Sequence, residues 1–151
     1  MLLFEAGEGL RFDETAIRAG LSGVLRVMDH LDMIDGAEID PPQAAPLLTT
    51  SSTWLRAPRG GRIRLTKDLG DAVEPGETVA MVGGLLDGDD TELVAPEAGI
   101  VIGRATLPVV NEGDAVLHVA QTSRPDTAAD RLETLVAQLE TGAMFYEDEI
   151  I

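Results

Sequence analysis

Few side chains in this chain could carry chemistry, and their spacing decides most of what it can do alone. His30 and His118 are its two histidines, and it has no cysteine. A catalytic zinc normally takes three protein ligands with histidine prominent, and no His-x-x-Glu pair occurs, so the residues by themselves assign no metal site. The histidines read as ordinary residues, His30 at a helix end and His118 within a strand. Asp87, Asp89, Asp90 and Glu92 crowd together, yet an EF-hand starting at Asp87 needs Gly and Glu where this chain has Glu92 and Ala98. That cluster reads as a solvated turn. Ser22, Ser51, Ser52 and Ser123 lack a Gly-x-Ser-x-Gly elbow, and neither histidine has an evident orienting partner, which argues against serine hydrolysis.

One cationic feature stands against an acidic background. Arg56, Arg59, Arg62, Arg64 and Lys67 supply five of the 11 basic residues within a short run. The run fits a strand face paired with acidic neighbours. It also fits a surface that contacts anionic carboxylates or an acidic partner domain, with Arg56, Arg59 and Arg62 as candidate substrate-binding residues.

The whole chain carries 27 acidic residues against those 11, a formal charge of -16 over 151 residues. Such a field opposes approach to phosphate backbones and anionic lipid, so neither nucleic acid nor membrane is an expected partner. The start, Met1-Leu2-Leu3-Phe4-Glu5, has no basic region before a long apolar run, and no stretch approaches the ~20 apolar residues that span a bilayer. A cytoplasmic location is the expectation, and the lack of cysteine is consistent with it.

Periodicity locates the helices and strands that hold these residues. Leu2-Leu3-Phe4 reads as a short strand running into the flexible Gly7-Glu8-Gly9 segment. Asp13 then suits an N-cap, with Phe12 placed to staple onto Ile17. Ile17, Leu21, Val24, Leu25, Met28 and Leu31 fall on one face of an amphipathic helix ending near Asp32 to Gly36. A proline-bearing linker over 35–52 separates this 1–34 segment from the rest of the chain.

From Trp54 the period becomes two, Ile63 and Leu65 alternating with Arg62, Arg64 and Thr66. A repeat then appears. Glu74-Pro75-Gly76-Glu77-Thr78-Val79 recurs as Asn111-Glu112-Gly113-Asp114-Ala115-Val116, and Ala57-Pro58 recurs as Ala95-Pro96, at offsets of 37 and 38 residues. Each copy is too small to bury its own apolar face, so the copies must share one core, making 53–121 a pseudo-twofold β unit. Asp87-Gly88-Asp89-Asp90 separates the copies as a hairpin or loop tip. Ala128, Leu132, Leu135, Val136 and Leu139 return to helical spacing behind Asp126 or Thr127 as cap, within a final 122–151 segment. There Met144-Phe145-Tyr146 is expected to dock and Glu147-Asp148-Glu149 to stay solvated.

Paired β copies with glycine turns are what biotinyl and lipoyl carrier domains look like. Carriers present a lysine between the halves, whereas Met81 through Leu93 contains none, and Lys67 is the chain's one lysine. Covalent cofactor attachment is not expected.

Read together, Phe4-Glu5-Ala6-Gly7-Glu8-Gly9-Leu10-Arg11-Phe12-Asp13-Glu14, the helix, the linker and Ser52-Thr53-Trp54-Leu55-Arg56-Ala57-Pro58-Arg59-Gly60-Gly61 resemble the C-terminal half of the succinylglutamate desuccinylase/aspartoacylase family. The resemblance covers roughly 1–121. It implies a mostly β chain: a barrel-sandwich hybrid domain, preceded by a strand and helix of a carboxypeptidase-like α/β domain and followed by a C-terminal helix. It further implies zinc-dependent hydrolysis of N-acyl amino acids, in which the glutamate matching Glu5 is the general base toward zinc-bound water. The zinc ligands of that family have no counterpart in this sequence. The resemblance therefore implies an inactive portion of a deacylase, whose cofactor zinc and N-acyl amino acid substrate belong to an assembly including the missing catalytic half. Uncovered apolar faces would favour homo-oligomers. The alternative is a standalone, non-enzymatic β module that binds or regulates a partner.

Overall fold

The computed structural model describes residues 1–36, 45–84 and 89–141. The chain divides into two compact units, one of 1–45 with 134–151 and one of 46–133.

The first unit is organised by helix α1, Glu14–His30. Asp13 caps it as expected, its Oδ1 accepting from the Ala16 N–H at 3.0 Å, and Glu14 adds a carboxylate to the positive first turn. The helix stops at Leu31 because Asp32 turns left-handed at φ 54°. No residue of α1 is buried. The staple is not made as a buried contact, since Phe12 is 93% exposed. Residues 2–4 lie in no strand, against the expectation. A strand exists through its ladder to a neighbour, and no described segment pairs with them. Phe4 instead lays its ring on Gly20, where an added Cβ would meet Cε1 at 3.0 Å. In the same unit Arg18 donates to the carbonyls of Leu139 and Glu140, placing a cation at the negative end of the C-terminal helix α2, Pro125–Thr141. Helix α2 begins one residue before the expected caps. Proline suits a first helical position because its φ is already helical and its missing N–H has no partner to lose there.

The second unit holds eight strands: β1 Ser52–Arg56, β2 Gly61–Leu65, β3 Ala72–Val73, β4 Thr78–Gly83, β5 Asp90–Val94, β6 Gly99–Arg104, β7 Val109–Val110 and β8 Ala115–Gln121. They form two four-stranded antiparallel sheets, β1-β8-β6-β3 and β5-β4-β2-β7. Exchanging the halves, β1 with β5, β2 with β6, β3 with β7 and β4 with β8, converts one sheet order into the other. Register follows the same rule. Ser52 faces Ala120 and Arg56 faces Ala115 in one sheet, as Asp90 faces Gly83 and Val94 faces Thr78 in the other. Even the irregularity is duplicated, with Val116 and Val79 as the extra residues, both fully buried. The turns match too: the Gly76 N–H donates to Ala95 O at 2.7 Å and the Gly113 N–H to Ala57 O at 2.9 Å, with φ of 83° and 84°. Both glycines take a conformation that a Cβ would strain.

One cluster from both sheets forms the core, including Leu55, Val73, Val79, Val82, Val101, Val116 and Leu117. Side chains of this size contribute about 1.5–3 kcal/mol each when fully buried. No ladder joins the sheets among the described residues, so no closed barrel is present. The outer faces differ. Ile100 and Ala120, cross-strand partners on one sheet, are buried outside the core cluster together with Ala128 of α2. The corresponding pair on the other sheet is Arg62 and Gly83, and there the Arg62–Asp90 ion pair lies at the surface.

The apolar face expected of α2 is only partly realised: Ala128 is buried, while Leu135 and Val136 are 39% and 41% exposed. Asp87-Gly88, residues 37–44 of the linker and Met144 to Glu149 fall outside the described residues. No described helix is long and apolar enough to cross a membrane.

Candidate functional site

Glu5 sits in the irregular segment before α1 and is exposed. The turn after it uses Gly7 at φ 77° and Leu10 at φ 68°. It brings Phe4, Gly7, Arg11, Phe12, Asp13 and Ala16 around an open surface depression of about 170 Å³. Arg11 Nε lies 3.2 Å from Glu8 Oε2 across its rim. Asp13 is occupied in capping the helix, so Glu5 is the carboxylate of this loop with no such structural task among the described residues. An exposed carboxylate just before such a turn can accept a proton from a water held against it, provided another group polarises that water.

The basic run lies in the other unit, and its members diverge. Arg56 Nη1 donates to Gly113 O at 2.8 Å, tying β1 to the second glycine turn. Arg59 Nη1 reaches Asp89 O at 3.3 Å, and Arg62 Nη2 pairs with Asp90 Oδ1 at 2.9 Å, so both hold the start of β5. Lys67 Nζ lies 2.6 Å from Glu77 Oε1 and also donates to Ala72 O at 2.9 Å. This contact, with the Glu74 backbone N–H, holds the Glu77 carboxyl below the usual carboxylate range. Arg59 and Arg62 are thus brought together and Arg56 is not. Arg56 meets a neutral carbonyl, and no carboxylate pairs with it among the described residues.

One arrangement escapes a linear reading of the sequence. The β1–β8 register sets Trp54 opposite His118, whose rings stack with centroids 4.4 Å apart at 11°. His118 Nε2 shares a hydrogen bond with Ser52 Oγ at 2.9 Å. Gly103 leaves room beside them, since a Cβ there would stand 3.1 Å from His118 Cβ and 3.5 Å from Trp54 Cη2. The repeat held the signal: aligned by it, Trp54 corresponds to Glu92 and His118 to Met81, so this pair marks where the halves differ.

Zinc does not fit the described residues as a resident ion. No three His, Cys, Asp or Glu side chains gather as ligands among them, His118 is engaged with Ser52 and Trp54, and His30 stands in the last turn of α1.

Neither a protein-family model nor a curated protein matches the sequence. Solved structures do. A succinylglutamate desuccinylase/aspartoacylase from Rhodobacter sphaeroides is 28% identical with a TM-score of 0.63, the match covering 74% of this chain and 37% of that one. The product-bound ectoine utilization protein EutE (DoeB) from Ruegeria pomeroyi is 23% identical with a TM-score of 0.63, covering 74% and 35%. An aspartoacylase family protein from Mesorhizobium loti is 23% identical with a TM-score of 0.52, covering 67% and 32%. The chain therefore shares the fold of succinylglutamate desuccinylase/aspartoacylase family structures, as the sequence resemblance implied. It spans about a third of the length of these structures.

Proposed function

We propose that this chain is the non-metal-binding portion of a deacylase that hydrolyses N-acyl amino acids. The observation that carries the reading is the match to the Rhodobacter sphaeroides structure across 74% of the chain. In this reading the duplicated sheets form a barrel-sandwich hybrid domain, and residues 1–34 complete the catalytic domain of an assembly. Hydrolysis adds water to the acyl carbon and breaks the C–N bond. Glu5 takes the proton that water releases and returns it to the leaving amine. No described residue would hold zinc; bound elsewhere in the assembly, it would supply Lewis acidity toward the acyl oxygen and the water.

Substrate carboxylate would favour Arg56 over Arg62. A carboxylate arriving at Arg62 must displace Asp90, whereas Arg56 holds only the Gly113 carbonyl among the described residues.

Hydrolysis of N-acetyl and N-succinyl amino acids, with zinc supplied, tests the reading. The chain alone should give no turnover. Joined by a metal-bearing α/β polypeptide, it should give turnover that Glu5→Gln lowers by ~10²–10⁴-fold. Turnover proportional to this chain alone, or unaffected by Glu5→Gln, would defeat the proposal. The lack of a metal-ligand cluster among the described residues also suits a non-enzymatic binding module, and persistent inactivity in the assembly would favour it.

A further inference from the structure

We infer that the free edge of β1 receives an extended segment of a partner protein as an additional antiparallel strand, one with a carboxylate opposite Arg56 and an aromatic or branched side chain opposite Trp54. The inference goes beyond the deacylase reading and does not depend on it.

A strand at the end of a sheet keeps a row of backbone donors and acceptors that pair with another extended chain unless the edge is short, charged or covered. The ends of the two sheets are β1, β3, β5 and β7. Strands β3 and β7 are two residues long. Strand β5 is guarded by acids. Its neighbour Ala95 bonds Glu77 and Gly76 on the β4 side, so by alternation Asp90, Glu92 and Val94 face outward. The carboxylates of Asp90 and Glu92 sit there, held by Arg62 and Thr78.

Strand β1 carries no carboxylate. Just before it the Ser51 carbonyl accepts from the Gln121 N–H at 3.0 Å, and just after it Ala57 bonds Asp114 and Gly113 at 2.9 Å, all on the β8 side. Alternation then turns Thr53 and Leu55 to β8 and directs the N–H and C=O groups of Ser52, Trp54 and Arg56 away from it. None of these three has a backbone partner on that side among the described residues.

The side chains define what the added strand carries. Ser52, Trp54 and Arg56 are exposed on one face, while Leu55 is buried on the other. Trp54 leans across His118, its Cη2 3.5 Å from where a Gly103 Cβ would stand. It thus leans away from the free edge, leaving an incoming strand room beside the ring face that is not stacked on His118. Aromatic and β-branched residues pair well opposite an aromatic. Arg56 commits one N–H to Gly113 O, and its others remain for a carboxylate. A basic segment would meet that guanidinium with like charge.

A second copy is a poorer occupant. Two β1 edges laid antiparallel on Trp54 would set each Arg56 opposite Ser52, and a β1 edge laid on a β5 edge would set it opposite Asp90, which Arg62 already holds. Two chains of formal charge -16 also repel. Under the deacylase reading Arg56 takes the carboxylate of a free substrate, whereas the edge offers it one carried on an extended backbone.

The test titrates the full chain with the peptide acetyl-Thr-Glu-Thr-Phe-Thr-Thr-amide, following Trp54 fluorescence and residue-resolved amide exchange. With Phe opposite Trp54, an antiparallel register puts Glu opposite Arg56. The expected result is one-to-one binding in which the Ser52, Trp54 and Arg56 amides slow at least ~10-fold, while those of Thr53 and Leu55, already bonded to β8, do not. Gln in place of the peptide's Glu should bind ~10-fold more weakly, a difference that Arg56→Ala removes. Should Arg56→Ala loosen the Gly113 turn, the Glu and Gln peptides on the unaltered chain still decide. N-methylation of the peptide's Phe keeps the carboxylate, removes a ladder bond and should weaken binding at least ~10-fold. No binding at ~1 mM peptide overturns the inference. So does equal binding of the Gln or N-methylated peptide. Slow exchange of the three amides in the free monomer would mean that the chain covers its own edge, and slowing with protein concentration alone would give the edge to a second copy; either result also overturns it.

Discussion

Gly61 and Gly99 occupy one and the same position in the two halves of the β unit. A Cβ on Gly61 would stand 2.0 Å from Gly83 O, and one on Gly99 would stand 2.5 Å from Ala120 O, where Gly83 and Ala120 are themselves equivalent by register. The obstacle is backbone in both cases and cannot swing aside.

Gly61→Ala and Gly99→Ala should therefore each destabilise the β unit by about 2 kcal/mol or more. Urea unfolding followed by Trp54 fluorescence measures this. Gly9→Ala, with nothing within 4 Å of its Cβ, is the neutral control.

The Lys67–Glu77 pair predicts a pH dependence. Because the folded-state pKa of Glu77 is lowered, its stabilisation is present above the unfolded carboxylate pKa and is lost as pH falls through the folded value. Both side chains are partly exposed, so the effect is small, ~0.2–1 kcal/mol. Glu77→Gln should lower stability at neutral pH and flatten its decline into acid, which denaturant titrations at pH 7 and at pH ~3 will show.

Trp54 is the chain's one tryptophan, and its stacking on His118 makes it a local reporter. His118→Ala should cost about 0.5–1.5 kcal/mol and shift Trp54 emission to the red as the ring gains water. An unchanged spectrum would mean that the stack does not persist in solution.

Asp13→Ala removes the side-chain acceptor of the Ala16 N–H. With no residue of α1 buried, little packing compensates, and the loss of about 1 kcal/mol should appear as reduced helical circular dichroism and faster amide exchange through the first turn. Asp13→Asn should retain most of the helix.

Much of the β unit was legible because glycine turns and alternating strands leave local marks. Gly76 and Gly113, Ala57 and Ala95, read as repeats, take the same bonds in space. The strand expected over Leu2–Phe4 is not formed for a reason composition cannot express: a strand needs an edge to ladder onto, and no described segment pairs with this one. The side-chain acceptors Asp126 and Thr127 point to a later start for α2 than the one observed, because Pro125 begins the helix through its fixed φ. Glu5 was singled out only through family resemblance. The Trp54–His118–Ser52 group was missed because its members join through register, which a linear reading recovers only after the halves are superimposed. The basic run appeared as one patch in sequence, yet a turn between strands splits Arg56 from Arg59 and Arg62 in space.

The strand orders interlock the two halves. β2 with β4, and β6 with β8, are centres built within one half, whereas β1, β3, β5 and β7 each ladder onto the opposite half's centre. Every half is a body with two arms, and both arms embrace the other. The ladders alone thus hold the halves together: two fragments covering 45–84 and 89–133 would stay clasped, released from one another only when both come undone.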